Sequence, residues 1–468
     1  MKALAITLKR VLILFKYNKK GNMMILYQIM GNKMNFKIII LTLIIAAILI
    51  CSLSSCDINM EESVISDESE ISFYSISSSS IASDESISFS DKNFEEHIRE
   101  LLVKPSENIY ASDLEKITEL DLRGIMIESL DDLKWFKMLE TLIIHDEVTE
   151  DSNTTDITTI NDISPLRELV NLKVLIMPYN SISDISALSN LKNIEILILS
   201  TNRVSDISVL SNLKNIETLG LSNNSISDIS ALSDLKNIKT LDLSNNSVSD
   251  ISVLSNLMNL ETLSSSNNSV SDISYIENLK NLKTLDLEGN EIHDISNVST
   301  LNNLESLTLS GNSIKEIDDV AGLINLKELC FAECGDIDDI TPLCNLLSLK
   351  DLDLSGNKIQ DISPLRNLVD LESLALRRNY IVDISTISEF ENLQELWLDL
   401  NNISDITPLE NLMNLTFLNL YGNKISDISP LQNLKKLTNL YLSENSITDF
   451  TPVKEIYYNL LDMDFLIQ

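Results

Sequence analysis

From residue 117 to the C-terminus, leucine and isoleucine recur in an order that neither a single helix nor a single strand produces. The chain reads L-x-x-L-x-L-x-x-N, then I-S-D-I-S/T-x-L, and starts again 22 residues later. Residues 222–243 (SNNSISDISALSDLKNIKTLDL) and 244–265 (SNNSVSDISVLSNLMNLETLSS) are near copies. Counted by its last position, the template falls at 125, 147, 180, 202, 224, 246, 268, 290, 312, 334, 357, 379, 401, 423 and 445, fifteen turns spaced by 22 apart from one step of 33 and one of 23. Asparagine fills that position as Asn180, Asn202, Asn224, Asn246, Asn268, Asn290, Asn312, Asn357, Asn379, Asn401, Asn423 and Asn445; the exceptions are Ile125, Glu147 and Cys334.

Each part of the template has a mechanical reading. L-x-L alternates, so it predicts a short strand with both leucines turned inward. A strand at the same place in every coil must lie parallel to its neighbours, about 4.8 Å away. Beyond it the chain bends and leaves backbone groups buried, and asparagine carries both a carbonyl and an amide to satisfy them in its own coil and the next. The I-S-D-I-S/T-x-L segment sets apolar residues three apart, which suits 3₁₀ or helical turns. Ser164-Pro165, Thr341-Pro342, Ser363-Pro364, Thr407-Pro408 and Ser429-Pro430 read as N-caps with proline at the first helical position. The repeated aspartate is turn chemistry; it lacks the alternating oxygen ligands and glycine of a calcium loop.

The segment before the repeats differs. In NFEEHIRELL, Phe94, Ile98, Leu101 and Leu102 share one helical face, with Asn93 and Glu96 as a capping box and Pro105 as the stop. Ser112 and Glu115 repeat the device, so residues 91–116 predict a helical cap and 117–468 the array. Residues 57–90 are Ser-, Asp- and Glu-rich without Lys or Arg, a composition that predicts a disordered tether. Residues 34–56 have a short basic start, an apolar run from Ile38 to Ile50, and then Leu53-Ser54-Ser55-Cys56. The run is shorter than a comfortable membrane span and suits a secretory signal. Its ending resembles a bacterial lipobox, which implies cleavage before Cys56 and acylation of that cysteine. The alternatives are an uncleaved anchor or an ordinary signal peptide. Residues 1–33 read as an extension before the true start at Met34.

The repeats closely resemble bacterial leucine-rich repeats of the 22-residue, internalin-like class. That resemblance implies an α/β repeat solenoid: a right-handed horseshoe with a parallel β-sheet on the concave face and 3₁₀ or short helical turns on the convex face. It also implies a protein or glycan ligand bound by the concave face, as in a non-enzymatic cell-surface binding or adhesion protein. A cytosolic regulator of a partner enzyme such as a phosphatase shares the same repeat class and is the competing reading. No wall-sorting tail follows residue 445, so lipid would be the anchor, holding a monomer on the outer face of a bacterial membrane.

Charge and chemistry narrow the picture. The chain holds 35 basic and 70 acidic residues, and the first 55 contain eight Lys or Arg and no Asp or Glu, so the remainder is more acidic than the whole. Such a surface repels phosphate backbones and excludes nucleic acid as a partner. Three scattered histidines, no CxxC pair, and no GxSxG, HExxH or phosphate loop leave no expected metal, cofactor or catalytic site. Cys330, Cys334 and Cys344 read as free thiols or small fillers.

The side chains facing out from the sheet lie six, four and two residues before the ladder position. In the middle coils they are small and polar, including Thr240, Thr262 and Ser264. Ser265 takes an inward leucine position there and should soften the array locally. Towards the N-terminus they include Ile143, Val174, Ile176, Ile196 and Ile198, an apolar patch beside an insert at 148–158 that could fold over it. Towards the C-terminus come Arg377, Trp397, Phe417, Tyr421 and Tyr441, with Glu395 and Asp399 among them. Aromatics with an arginine are what interface centres concentrate; the competing reading is strand-forming residues that simply fill a sheet face.

Overall fold

Leucine at both inward positions of L-x-L drives the fold. In the computed structural model, which describes residues 86–145 and 160–466, these strands form one sixteen-stranded sheet in which every neighbour is the next strand in sequence. It runs from β1 (Glu119–Asp121) to β15 (Asn439–Tyr441), with a short β16 (Asp462–Met463) closing the end, and each pairing is parallel. The central leucines stack directly, as in Leu219, Leu241 and Leu263, and all three are fully buried. Short 3₁₀ turns return the chain on the opposite side of each coil, giving the open horseshoe solenoid that the period predicts. Expectations for 1–33, for the 34–56 signal with Cys56 and for the 148–158 insert concern residues outside those described. No helix among the described residues is long and apolar enough to cross a membrane.

The ladder asparagines bond to their own coil and the preceding one, not the next. Asn290 Oδ1 accepts from Val270 N at 2.9 Å, while its Nδ2 donates to Ser265 O at 2.8 Å, Leu287 O at 3.0 Å and Glu288 O at 3.2 Å. The pattern recurs from Asn202 to Asn445. It lapses once among those coils. Cys334 offers only a thiol, 3.6 Å from Leu309 O, and in the next coil Asn357 Oδ1 is buried without a partner. Among the described residues, the one before each ladder position is left-handed, for example Asn223, Asn245, Gly289 and Leu400. Gly or Asn takes that conformation at little cost, which explains the recurring Asn-Asn and Gly-Asn pairs. A second asparagine row was not anticipated: Asn193, Asn215, Asn237, Asn259 and Asn281 each donate to a carbonyl of the preceding coil.

Aspartate, not Ser or Thr, caps the 3₁₀ turns. Asp250 Oδ1 accepts from Ser252 N at 2.8 Å, and the same bond recurs in the Ser-Pro and Thr-Pro coils, as from Ser164 to Asp162 and from Thr341 to Asp339. These backbone bonds hold Asp184, Asp206, Asp228, Asp250 and Asp272 below the ordinary aspartate range.

Both ends of the core are sealed. The first helix, α1 (Lys92–Leu102), is capped by Asp91, whose Oδ1 accepts from Asn93 N and Phe94 N. Asn93 lies inside the helix and reaches Met126 O, so the expected Asn93–Glu96 box does not form. In α2 (Ala111–Leu114) Asp113, not Ser112 or Glu115, closes the cap by accepting from Tyr110 N. The cap also begins earlier than composition suggests. Ser86 bridges to Tyr110, Phe89 meets Phe94 edge-on, and Ser90 donates to buried Asp132, so 86–90 belongs to the cap and not to the tether. At the far end the Asp464 carboxylate accepts from Leu442 N and Ser443 N, standing in for the missing next strand, and Phe450 stacks on Phe465 over the last leucines.

Asn290→Leu should cost about 1–3 kcal/mol for the backbone groups it orphans. Because the bonds point backward, hydrogen exchange should quicken at Val270 while Ile292, held by Asn312, keeps its protection. Equal loss on both sides would contradict the directional ladder.

Candidate functional site

Strand register arranges the outward side chains in three columns, so the face can be read strand by strand. Over the middle coils it is small and hydrogen-bonded to itself: Ser244 and Ser264 hydroxyls lie 2.7 Å apart, and Ser264 donates to Asp286 at 3.0 Å. Ser265 is fully buried, and its hydroxyl accepts from Asn268 Nδ2, so the polar intruder is satisfied by the ladder.

The C-terminal strands are different. On β13 (Glu395–Trp397), β14 (Phe417–Asn419) and β15, three rings run continuously across the sheet. Trp397 stacks on Phe417 with centroids 3.9 Å apart, and Phe417 meets Tyr441 at 5.6 Å. All three are half-buried, largely by one another, instead of standing free as sequence position suggests. The Tyr441 hydroxyl is further tied to Asp462 at 2.6 Å. Tyr421 stays outside the stack, 38% exposed. Arg377 Nε sits 3.4 Å from Asp399 Oδ2, an ion-pair distance without hydrogen-bond alignment. Asp399 is 3% exposed and its Oδ1 has no partner.

Acidic side chains share this face. Burial pushes Asp351 up to about 6, with Glu328, Glu372 and Glu395 adding repulsion and Lys350 opposing it. Burial also raises Asp353, Glu395 and Asp399, the last two against Trp397 and Arg377 contacts that favour the anion. These are carboxylates held without enough counter-charge. The aromatic residues were legible in the sequence as outward positions; the unbalanced acids were not, because burial on a concave face cannot be read from spacing.

Two-copy leucine-rich-repeat models match residues 170–212, 214–256, 259–300, 347–389, 391–433 and 414–455. The chain belongs to the leucine-rich-repeat family. An internalin of Listeria monocytogenes is 30% identical, over 81% of this chain and 96% of its own, with a TM-score of 0.58. A leucine-rich-repeat protein of Leptospira interrogans is 23% identical over 76% of this chain and 97% of its own, with a TM-score of 0.65. The ectodomain of a receptor kinase from Arabidopsis thaliana, solved in complex with Casparian strip integrity factor 2, is 21% identical over 74% of this chain and 49% of its own, at a TM-score of 0.60. A search of the curated proteins found no match.

Within the leucine-rich-repeat array the N-terminal apolar patch is partly withdrawn from solvent. Ile176 and Ile198 are buried, and Ile198 leans over Gly220, where a Cβ would meet its Cδ1 at 2.9 Å. Ile143, Val174 and Ile196 remain half-exposed. The three described cysteines are free; Cys330 lies 2.8 Å from the Ser310 hydroxyl, and burial pushes its thiol up to about 12 and that of Cys334 to about 11. Thiols so held are poor nucleophiles at neutral pH. No cluster of three or more His, Cys, Asp or Glu suited to a metal occurs among the described residues.

Further surface features went unread in the sequence. On the flank of the repeats Ile324, Leu347 and Val369 form an exposed row, 59%, 55% and 47% accessible, in consecutive coils. Nearby, Lys350, Glu372, Gln394, Thr416 and Lys436 line an open groove of about 600 Å³. The signal was present ten and seven residues before the ladder positions, and nine before Asn445 for Lys436, but without the fold no reason existed to line those positions up.

A raised carboxyl is disfavoured by folding once it ionises. The stability tied to Asp351 is complete below the ordinary aspartate value and is lost as pH rises through about 6. Asp351→Asn should therefore stabilise the protein at pH 7.5 by about 1 kcal/mol at most, because solvent screens this exposed position, and have little effect at pH 4. Denaturant melts at both pH values check this; equal effects would remove Asp351 from the group of strained acids.

Proposed function

We propose that this is a non-enzymatic, lipid-anchored bacterial surface protein that captures a protein ligand on the C-terminal half of its concave face. The observation that carries the reading is the continuous Trp397–Phe417–Tyr441 stack, with Tyr421 beside it, on a sheet whose middle is Ser and Thr. Large rigid rings supply contact area at low entropic cost, and interface centres concentrate them. The likeness to an internalin and the protein-bound plant receptor ectodomain support a binding role for the scaffold. Fold alone does not name the ligand.

Export and anchoring rest on the sequence of residues 34–56. An apolar run ending in Leu53-Ser54-Ser55-Cys56 supports secretion, and a diacylglycerol on Cys56 would supply the two chains that stable attachment requires. These features weigh against the cytosolic-regulator reading. Cys56→Ser should leave an unacylated precursor; mass spectrometry finding no lipid on wild-type Cys56 would refute the anchor.

Ligand capture by Trp397→Ala, Tyr421→Ala should weaken by about 2 kcal/mol or more, roughly thirtyfold, with a small change in melting temperature. Thr240→Ala, Thr262→Ala should change neither. Undiminished capture by the aromatic variant would sink the reading, and a large drop in melting temperature would assign the rings to packing.

A further inference from the structure

The ring stack ends beside a hollow that the capture reading does not use. On β12 (Ser373–Ala375) the outward side chains are small, whereas both neighbours are large. Register sets Asp351 of β11 (Asp351–Asp353) and Glu395 of β13 on either side of Ser373, and Asp353 and Trp397 on either side of Ala375. Two strand spacings separate the backbones that carry the walls, about 10 Å. One wall is carboxylate; the other is a carboxylate and an indole. Arg377 closes one end of the hollow, engaged with Asp399.

We propose that this hollow receives a lysine or arginine side chain from a basic segment of the captured protein. The inference rests on the capture reading above and gives it a ligand chemistry. Glu328, Asp351, Asp353, Glu395 and Asp399 share the face of four adjacent strands, from β10 (Glu328–Cys330) to β13, and Arg377 is the cation placed among them on the outward columns. Asp399 carries the clearest sign of an unmet partner: it is 3% exposed, its Oδ1 accepts nothing, and the guanidinium beside it is misaligned for a hydrogen bond. A cation entering here gains carboxylates on both sides and the face of Trp397, a cation–π wall worth most when desolvated. Among the described residues no group of three or more His, Cys, Asp or Glu is placed to hold a metal ion, so the cation proposed here is a side chain.

The pH dependence follows from the groups facing Asp351, namely Glu328, Glu372, Glu395 and the opposing Lys350. As pH rises through about 6 the hollow gains negative charge, so a cation binds more tightly at pH 7.5 than at pH 5.

The test uses the full-length protein in detergent and a fluorescently labelled hexa-arginine peptide, followed by anisotropy at about 0.1 M salt, where long-range attraction to an acidic surface is largely screened. Wild type should bind more tightly at pH 7.5 than at pH 5. Asp351→Asn, Glu395→Gln should weaken binding on the order of tenfold and flatten the pH dependence. Glu316→Gln, Glu389→Gln removes the same charge from exposed positions off the sheet and should stay within about twofold of wild type. Both variants should melt close to wild type, since Asn and Gln keep a side-chain oxygen at Asp351 and at Glu395, whose contact with Trp397 an amide oxygen can still accept. Equal weakening by the two variants, or none by the first, overturns the proposal. Capture of the protein ligand separates the two readings. If it is lost in Trp397→Ala, Tyr421→Ala but intact in Asp351→Asn, Glu395→Gln, the cation reading falls and the capture reading stands. If it is intact in both, the capture reading itself falls.

Discussion

A coil that bends every few residues buries peptide groups it cannot pair with itself, and everything else in this molecule depends on how that is solved. One asparagine per coil answers two needs at once. Its amide serves carbonyls in its own coil and the one before, and its carbonyl takes an amide of the one before. Leucine burial supplies the driving force, but a buried unpaired amide costs as much as a good hydrophobic contact gains. With the bend satisfied, the strand can recur at the same place indefinitely, and the outward columns become free positions on a fixed lattice.

That lattice explains what was legible in advance. Fifteen registered copies of L-x-L and the ladder asparagine specify parallel strands and an open solenoid, because no other arrangement buries every leucine at a 22-residue period. What escaped was everything that does not repeat. Asp91 and Asp132 tie the cap to the first coil, and Asp464 imitates a strand at the last, yet each is one aspartate among many in an acidic chain. The left-handed column was missed for the opposite reason. Asn-Asn and Gly-Asn pairs were visible, but Leu400, Arg378 and Glu444 take the same conformation without advertising it. Forcing such residues left-handed costs about 1–2 kcal/mol apiece, and the repeat absorbs it because the neighbouring coils fix the backbone.

The candidate site divides along the same line. Alternation alone puts Trp397, Phe417, Tyr421 and Tyr441 on the outer face of the sheet, since each sits two, four or six residues before a ladder asparagine. Spacing could not tell that three of the rings would cover one another, that Tyr441 would be held by the C-terminal seal, or that Asp399 would sink between Arg377 and Tyr421 with one oxygen unpartnered. Those are properties of neighbouring columns on a curved sheet, and they depend on side-chain volumes from three coils at once. Ser373 and Ala375 illustrate this best: unremarkable as letters, they matter because the residues on either side are large and charged.

The seals at the two ends carry a consequence for how such a molecule can change length. Residues 86–116 close one end and 450–466 the other, and those closures engage the first and last coils, through Asp132 at one end and Leu442 and Ser443 at the other, and not the middle ones. A duplication or deletion of one 22-residue unit in the middle, where 222–243 and 244–265 already read as copies, exposes no new edge and orphans no new leucine. It moves the aromatic strands by one strand spacing, about 4.8 Å, relative to the N-terminal seal. Position along the solenoid is thereby separated from the composition of the sheet face: slippage in the gene can tune how far the ring-bearing strands stand from the cap while leaving those strands untouched.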